Sequence, residues 1–116
     1  MKKPDVYVHN IDDSIRFIED WTTGDFEAFL ADVKTNKAVV RLLHELTESM
    51  QRLEKLCGSE YPDVPWKEVI SFRNVVVHDY LGLDLKEVWR IVTVSLPQLK
   101  PHIQRMLADL SNRPHS

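Results

Sequence analysis

The side chains best suited to chemistry lie together in the stretch Arg73-Asn74-Val75-Val76-Val77-His78-Asp79-Tyr80. A guanidinium is a permanent cation whose planar donors suit anionic oxygens. An imidazole gives and takes protons near neutral pH. A phenol can pack, donate a hydrogen bond or be modified. The apolar run that contains them begins near Trp66. Wound as a helix at 100° per residue, Trp66–Tyr80 places Trp66, Val69, Ile70, Arg73, Val76, Val77 and Tyr80 on one side. Arg73 then sits amid a hydrophobic stripe, with Tyr80 two turns along and almost in line. Asn74 and His78, four residues apart, share the neighbouring stripe, so Arg73 can reach toward the imidazole. A guanidinium on an apolar face is costly unless it is paired or has work to do.

The elements that position these groups follow from the rest of the chain. Its 116 residues suffice for one core and one domain, spanning about residues 7–110 with a polar tail at 111–116 expected to fray. A net charge of −3 and a pI of 5.9 exclude a general nucleic-acid coat, so any RNA site must be local. One cysteine, Cys57, excludes an internal disulfide and reads as a packed small hydrophobe in a reducing cytoplasm. No apolar run reaches membrane-spanning length, and Met1-Lys2-Lys3-Pro4-Asp5 lacks a signal-peptide core. The expected location is cytoplasmic.

Val8, Ile11, Ile15, Ile18 and Trp21 recur at helical spacing, and Thr22-Thr23-Gly24 ends that helix. A short helix over about Asp25–Asp32 turns Phe26, Phe29 and Leu30 inward. Val39, Leu43, Leu46, Met50, Leu53 and Cys57 form the seam of a long helix that Gly58 stops. Pro65 opens the helix carrying Arg73. Asp84 with Glu87 resembles a capping box for a last helix with the stripe Val88, Val92, Leu96, Leu99, Ile103, Met106 and Leu110. Pro97 and Pro101 predict a kink or break near Ser95 and Leu96. The pattern is all-α, an up-and-down bundle of four or five helices.

The spacing Arg73-x4-His78-x-Tyr80 resembles the signature of HEPN-domain proteins, specifically the HepT-like toxins of HepT/MntA-type toxin–antitoxin pairs. The lead-in Tyr61-Pro62-Asp63-Val64-Pro65-Trp66 matches as well. So do Leu83-Asp84-Leu85, Val88-Trp89 and Leu96-Pro97-Gln98-Leu99 after the motif. Thr35, Ala38, Val39, Val40 and Arg41 resemble the start of the family's long helix, and Glu48 its acidic position. The likeness runs from about Tyr7 to Leu110. Four positions depart from it: Thr47 stands for a small Gly, Lys37 for an acidic residue, Asp79 for a common Gly, and Pro101 is a second proline in the last helix.

The resemblance implies a HEPN-like bundle acting as a metal-independent endoribonuclease toxin, without a cofactor, and as a homodimer whose two motifs meet at the subunit interface. RNA carries its own nucleophile, the 2′-OH. His78 would act as acid or base and Arg73 would meet the extra charge on the phosphoryl oxygens. Asn74 would orient the imidazole or bind a phosphate oxygen. The resemblance also implies that Tyr80 is AMP-modified by a minimal nucleotidyltransferase antitoxin, an anionic adduct that would fill the space beside Arg73.

Other readings of the same residues stay open. Arg73 can be bridged to Glu48, and His78 can be a satisfied interior histidine. His44 and His102 read as surface or partner contacts, and Trp66 and Trp89 as core or interface aromatics. No His/Cys/Asp/Glu set has zinc-site spacing. The alternative function is a non-catalytic helical partner of a nucleotidyltransferase.

Overall fold

A computed structural model describes the backbone of residues 3–77 and 84–111. His78, Asp79 and Tyr80 lie outside the described residues, as do Leu83 and the tail from 112 onward. The described chain is all-helical: α1 (Pro4–Trp21), α2 (Phe26–Ala31), α3 (Val33–Cys57), a 3₁₀ turn (Gly58–Glu60), α4 (Trp66–Val77), α5 (Leu85–Arg90), a π-helical turn (Ile91–Ser95) and α6 (Leu96–Ser111). Together they form an elongated bundle measuring 48 × 26 × 23 Å. Helix α1 packs between α3 and α6, and α4 packs on α3. None of the described helices is long and apolar enough to cross a membrane.

Helices α2, α3 and α5 start at aspartate caps and α1 at a proline. Pro4 opens α1, where its missing N–H is no loss. The Asp25 carboxylate accepts from Ala28 N at 2.9 Å, and Asp32 accepts from both Thr35 N at 3.1 Å and the Thr35 hydroxyl at 2.7 Å. These donors hold the Asp32 carboxyl below its ordinary value, the Thr35 hydroxyl first and its backbone N–H next. Asp84 caps α5 by accepting from Glu87 N at 3.2 Å. The reciprocal half of the expected capping box is replaced: the Glu87 carboxylate goes to Arg90, whose hydrogen bond lowers the Glu87 pKa.

The predicted seams form the core. Val8, Ile11, Ile15 and Ile18 of α1, all six seam residues of α3 and all seven stripe residues of the last helix are buried. Two inward placements do not hold. Trp21 is 45% exposed and Leu30 41% exposed, because the end of α1 and the far face of the one-and-a-half-turn α2 overhang the core. Trp21 instead stacks on Phe17, with ring centroids 5.7 Å apart. Phe29 is buried and, with Phe26, packs on Trp89, which pins α2 to α5. Cys57 is a buried thiol donating to Leu53 O. Thr47, in place of a small residue, is buried with its hydroxyl turned back onto His44 O at 2.8 Å.

The irregularity expected near Ser95 and Leu96 takes the form of the π-helical turn. Arg90, Ile91 and Leu96 keep right-handed helical dihedrals, so α5, the turn and α6 run on as one rod. Leu96 N reaches back five residues to Ile91 O. Pro97 has no N–H, and its ring would press on the carbonyl four residues earlier; the wider turn relieves that crowding. Thr93 and Pro97, whose carbonyls lose a donor to the two prolines, are exposed, so water can satisfy them.

The segment leading into α4 is a buried knot. Tyr61, Val64 and Trp66 are all buried, and the Trp66 indole N–H donates to Tyr61 O at 2.9 Å. The Tyr61 hydroxyl reaches Asp109 on α6 at 3.2 Å. Trp66 N donates to Val64 O and Val69 N to Pro65 O, so Pro65 caps α4 one position before its first helical residue. Gly58 leaves room beneath: a Cβ there would stand 2.9 Å from Glu54 Cγ and 3.9 Å from the Trp66 ring.

Two outcomes test this account. Trp66→Phe keeps much of the ring volume but removes the buried indole donor, and is expected to lower the unfolding free energy by about 1–3 kcal/mol in urea titration. Asp32→Ala is expected to lower the melting temperature at neutral pH. Because the folded carboxyl titrates below 3.8, the cap stabilises fully above that value and less as pH falls through the folded pKa. The gap between wild type and variant should therefore be constant near neutrality and close in acid.

Candidate functional site

Helix α4 carries the described half of the motif. Its buried side is Trp66, Val69 and Phe72, at successive steps of three. Arg73 lies only about 40° around the helix from the middle of that stripe, yet it is exposed, as is Asn74. Arg73, expected amid the hydrophobic stripe on a side that a second subunit closes over, is exposed in the single chain. Phe72 takes the inward position, and Arg73, one residue further, falls on the open side of the helix.

The proposed bridge from Arg73 to Glu48 is not formed. Glu48 lies instead 3.4 Å from His44 Nε2, one turn away on its own helix. Among the described residues no carboxylate comes within ion-pair distance of Arg73, although Arg16, Arg41, Arg90 and Lys100 all have one. The structure therefore brings Arg73 and Asn74 side by side at the open end of α4. The candidate acid/base His78 and the candidate modification site Tyr80 lie outside the described residues. His102 sits 3.4 Å from Arg105 on α6, a surface contact.

An exposed, uncompensated guanidinium avoids a desolvation cost and keeps its donors available for an anion. Its position is set from behind. Trp66 is fixed by Tyr61, and seven residues along a rigid helix carry that constraint to Arg73. The sequence pattern marks Tyr61–Trp66 only as a matching lead-in. The signal for its positioning role is the pairing of buried-type aromatics with a glycine before them and two prolines between them, which marks a packed turn.

The family described as "Ribonuclease HepT-like" matches residues 11–106, a range that contains the whole stretch from Arg73 to Tyr80. A candidate RNase of Methanocaldococcus jannaschii is 34% identical over 89% of this chain and 83% of its own length. "Probable ribonuclease HepT" of Thermococcus cleftensis is 32% identical, covering 86% of this chain and 92% of its own. A candidate RNase of Caldanaerobacter subterraneus is 29% identical over 92% and 96%. No solved structure matches the chain. A match across nearly the whole bundle, joined to an all-helical fold, places the chain in the HepT-like ribonuclease family.

Proposed function

We propose that the protein is a metal-independent endoribonuclease, the toxin of a toxin–antitoxin pair, acting as a homodimer. The observation that carries this reading is the open Arg73: a cation on the line of an apolar helix stripe, exposed in one chain and facing no carboxylate among the described residues. A second subunit closing over that stripe would leave the guanidinium facing a shared cleft, where a phosphate can supply the missing anion.

In this mechanism the 2′-hydroxyl of the substrate attacks the adjacent phosphorus and the 5′-oxygen of the next nucleotide leaves. His78 takes the proton from the nucleophile or delivers one to the leaving oxygen. Arg73 donates to the non-bridging oxygens as their charge grows. Asn74, beside it, orients the imidazole or holds a phosphate oxygen. AMP attached to the Tyr80 oxygen by a nucleotidyltransferase antitoxin would place a competing phosphate beside Arg73 and silence the site.

Digestion of RNA by purified, unmodified protein in the presence of a chelator tests the reading. His78→Ala is expected to lower kcat by about 10²–10⁴. Arg73→Ala should lower it by about 10²–10³, the cost of removing one preorganised donor to the transition state. Cleavage that survives His78→Ala would remove the acid/base role. No cleavage by the unmodified protein would favour a non-catalytic partner of the nucleotidyltransferase.

A further inference from the structure

A second feature of the surface lies between α1 and α3, with no residue of α4 in its walls. Two adjoining hollows open between the N-terminal half of α1 and the C-terminal half of α3, of about 490 and 370 Å³. They share Tyr7 and Arg52 as a common wall. Beyond that wall the first hollow offers Asn10, Glu48 and Ser49, and the second offers Lys55.

Charge is unevenly distributed along this groove. Arg52 and Lys55 meet no carboxylate among the described residues. At the other end two carboxylates line the first hollow, Glu45 paired with Arg41 at 3.2 Å and Glu48 lying 3.4 Å from His44 Nε2. The cleft between α1 and α6 is different: its cations are neutralised, Arg16 by Asp12 and Asp13 and Lys100 by Glu19. Of these two clefts, the α1–α3 groove is therefore the one that combines a hollow of nucleotide size with uncompensated positive charge at one end.

The other end is furnished for a polar edge. Ser49 is buried, and its oxygen accepts from Asn10 Nδ2 at 2.7 Å. That bond leaves the Asn10 carbonyl oxygen as an acceptor and the Ser49 proton as a donor, a pair that matches the mixed donor and acceptor edge of a nucleobase. Tyr7 is half-buried against the core and lines both hollows, which puts an aromatic side chain between the two ends. Stacking on such a face tolerates any base.

We propose that this groove is a binding subsite for one nucleotide of single-stranded RNA, away from the cleavage centre. The base stacks on Tyr7 with its edge toward Asn10 and Ser49, and the phosphate lies between Arg52 and Lys55. The subsite rests on the ribonuclease reading for its biological sense, since it would hold substrate RNA while Arg73 and its neighbours act elsewhere on the strand.

Fluorescence anisotropy with a fluorescein-labelled 2′-O-methyl oligouridylate tests it, because the methylated probe lacks the nucleophile and reports binding without cleavage. The double variant Arg52→Gln/Lys55→Gln is expected to weaken binding at least tenfold. It should also flatten the plot of log K against log salt by roughly 1.4, about 0.7 for each cation removed from a single-stranded backbone. Tyr7→Leu keeps the apolar body against the core and should weaken binding about tenfold without changing that slope.

Cleavage of unmethylated RNA, measured in parallel, separates the two proposals. Groove-dependent binding without any cleavage supports the subsite and sinks the nuclease. Normal cleavage with binding indifferent to Arg52 and Lys55 overturns the subsite and spares the nuclease. Failure of the wild type to bind the probe overturns the subsite. Weakening on removal of the two cations, with indifference to Tyr7, also overturns it, since that pattern describes attraction to any polyanion.

Discussion

The hydrogen bond from the Trp66 indole to the Tyr61 carbonyl is the constraint on which the motif helix depends. Helices α3 and α4 are joined by only a short irregular segment, so the direction and register of α4 are fixed at its first turn. A polar group buried there without a partner would cost more than the bond contributes, which ties the ring and the carbonyl to one arrangement. Tyr61 extends the tie by reaching Asp109 on α6. The start of α4 is thereby fastened to the last helix of the fold before any motif residue is reached. Helical geometry then carries the constraint to Arg73 with no further specialised contact.

The same economy governs the last helix. Proline at positions 97 and 101 would ordinarily interrupt the ladder, yet α5 and α6 form one rod because the π-helical turn widens the backbone ahead of Pro97. One extra residue in that turn also rotates the buried face. Ile91 and Ser95 join Val88 and Val92 inside, and the stripe resumes with Leu96, Leu99 and Ile103. The rod stays packed along α1 while its N-terminal end receives Phe26 and Phe29 through Trp89.

Much of this was legible in the residues. Apolar spacing located α1, α3 and the last helix because each buries one continuous stripe. Gly58 and Pro65 marked the boundaries of the lead-in because both limit what backbone and side chains can occupy there. Two residues misled. Trp21 and Leu30 fit the period of their helices but lie where no neighbouring element extends, and periodicity alone carries no information about where a partner ends. Arg73 shows the same limit of a periodic pattern. The stripe Trp66, Val69, Ile70 and Arg73 is real as a pattern, whereas burial follows Trp66, Val69 and Phe72. The pattern describes one side of a helix; coverage depends on the lengths of α3 and α5 beside it. The Glu48 bridge failed on angle, since Glu48 faces His44 and the α1 groove.

A chain with net charge −3 can still present cations locally to a polyanion, and the ion pairs show how. On the side formed by α1 and α6, Arg16 and Lys100 are locked to Asp12, Asp13 and Glu19. Arg52 and Lys55 on α3 and Lys67 and Arg73 on α4 have no such partner among the described residues. Total charge therefore misrepresents the field that a polyanion would meet. Within about a Debye length, roughly 8 Å in physiological salt, a phosphate approaching α3 or α4 meets cations whose attraction is not cancelled by a bonded carboxylate. In the α1–α6 cleft, by contrast, Arg16 and Lys100 are already paired and offer a polyanion no such attraction. Local contact with a polyanion and an overall acidic protein are thus compatible, because the described cations of α3 and α4 without a bonded carboxylate keep their donors available.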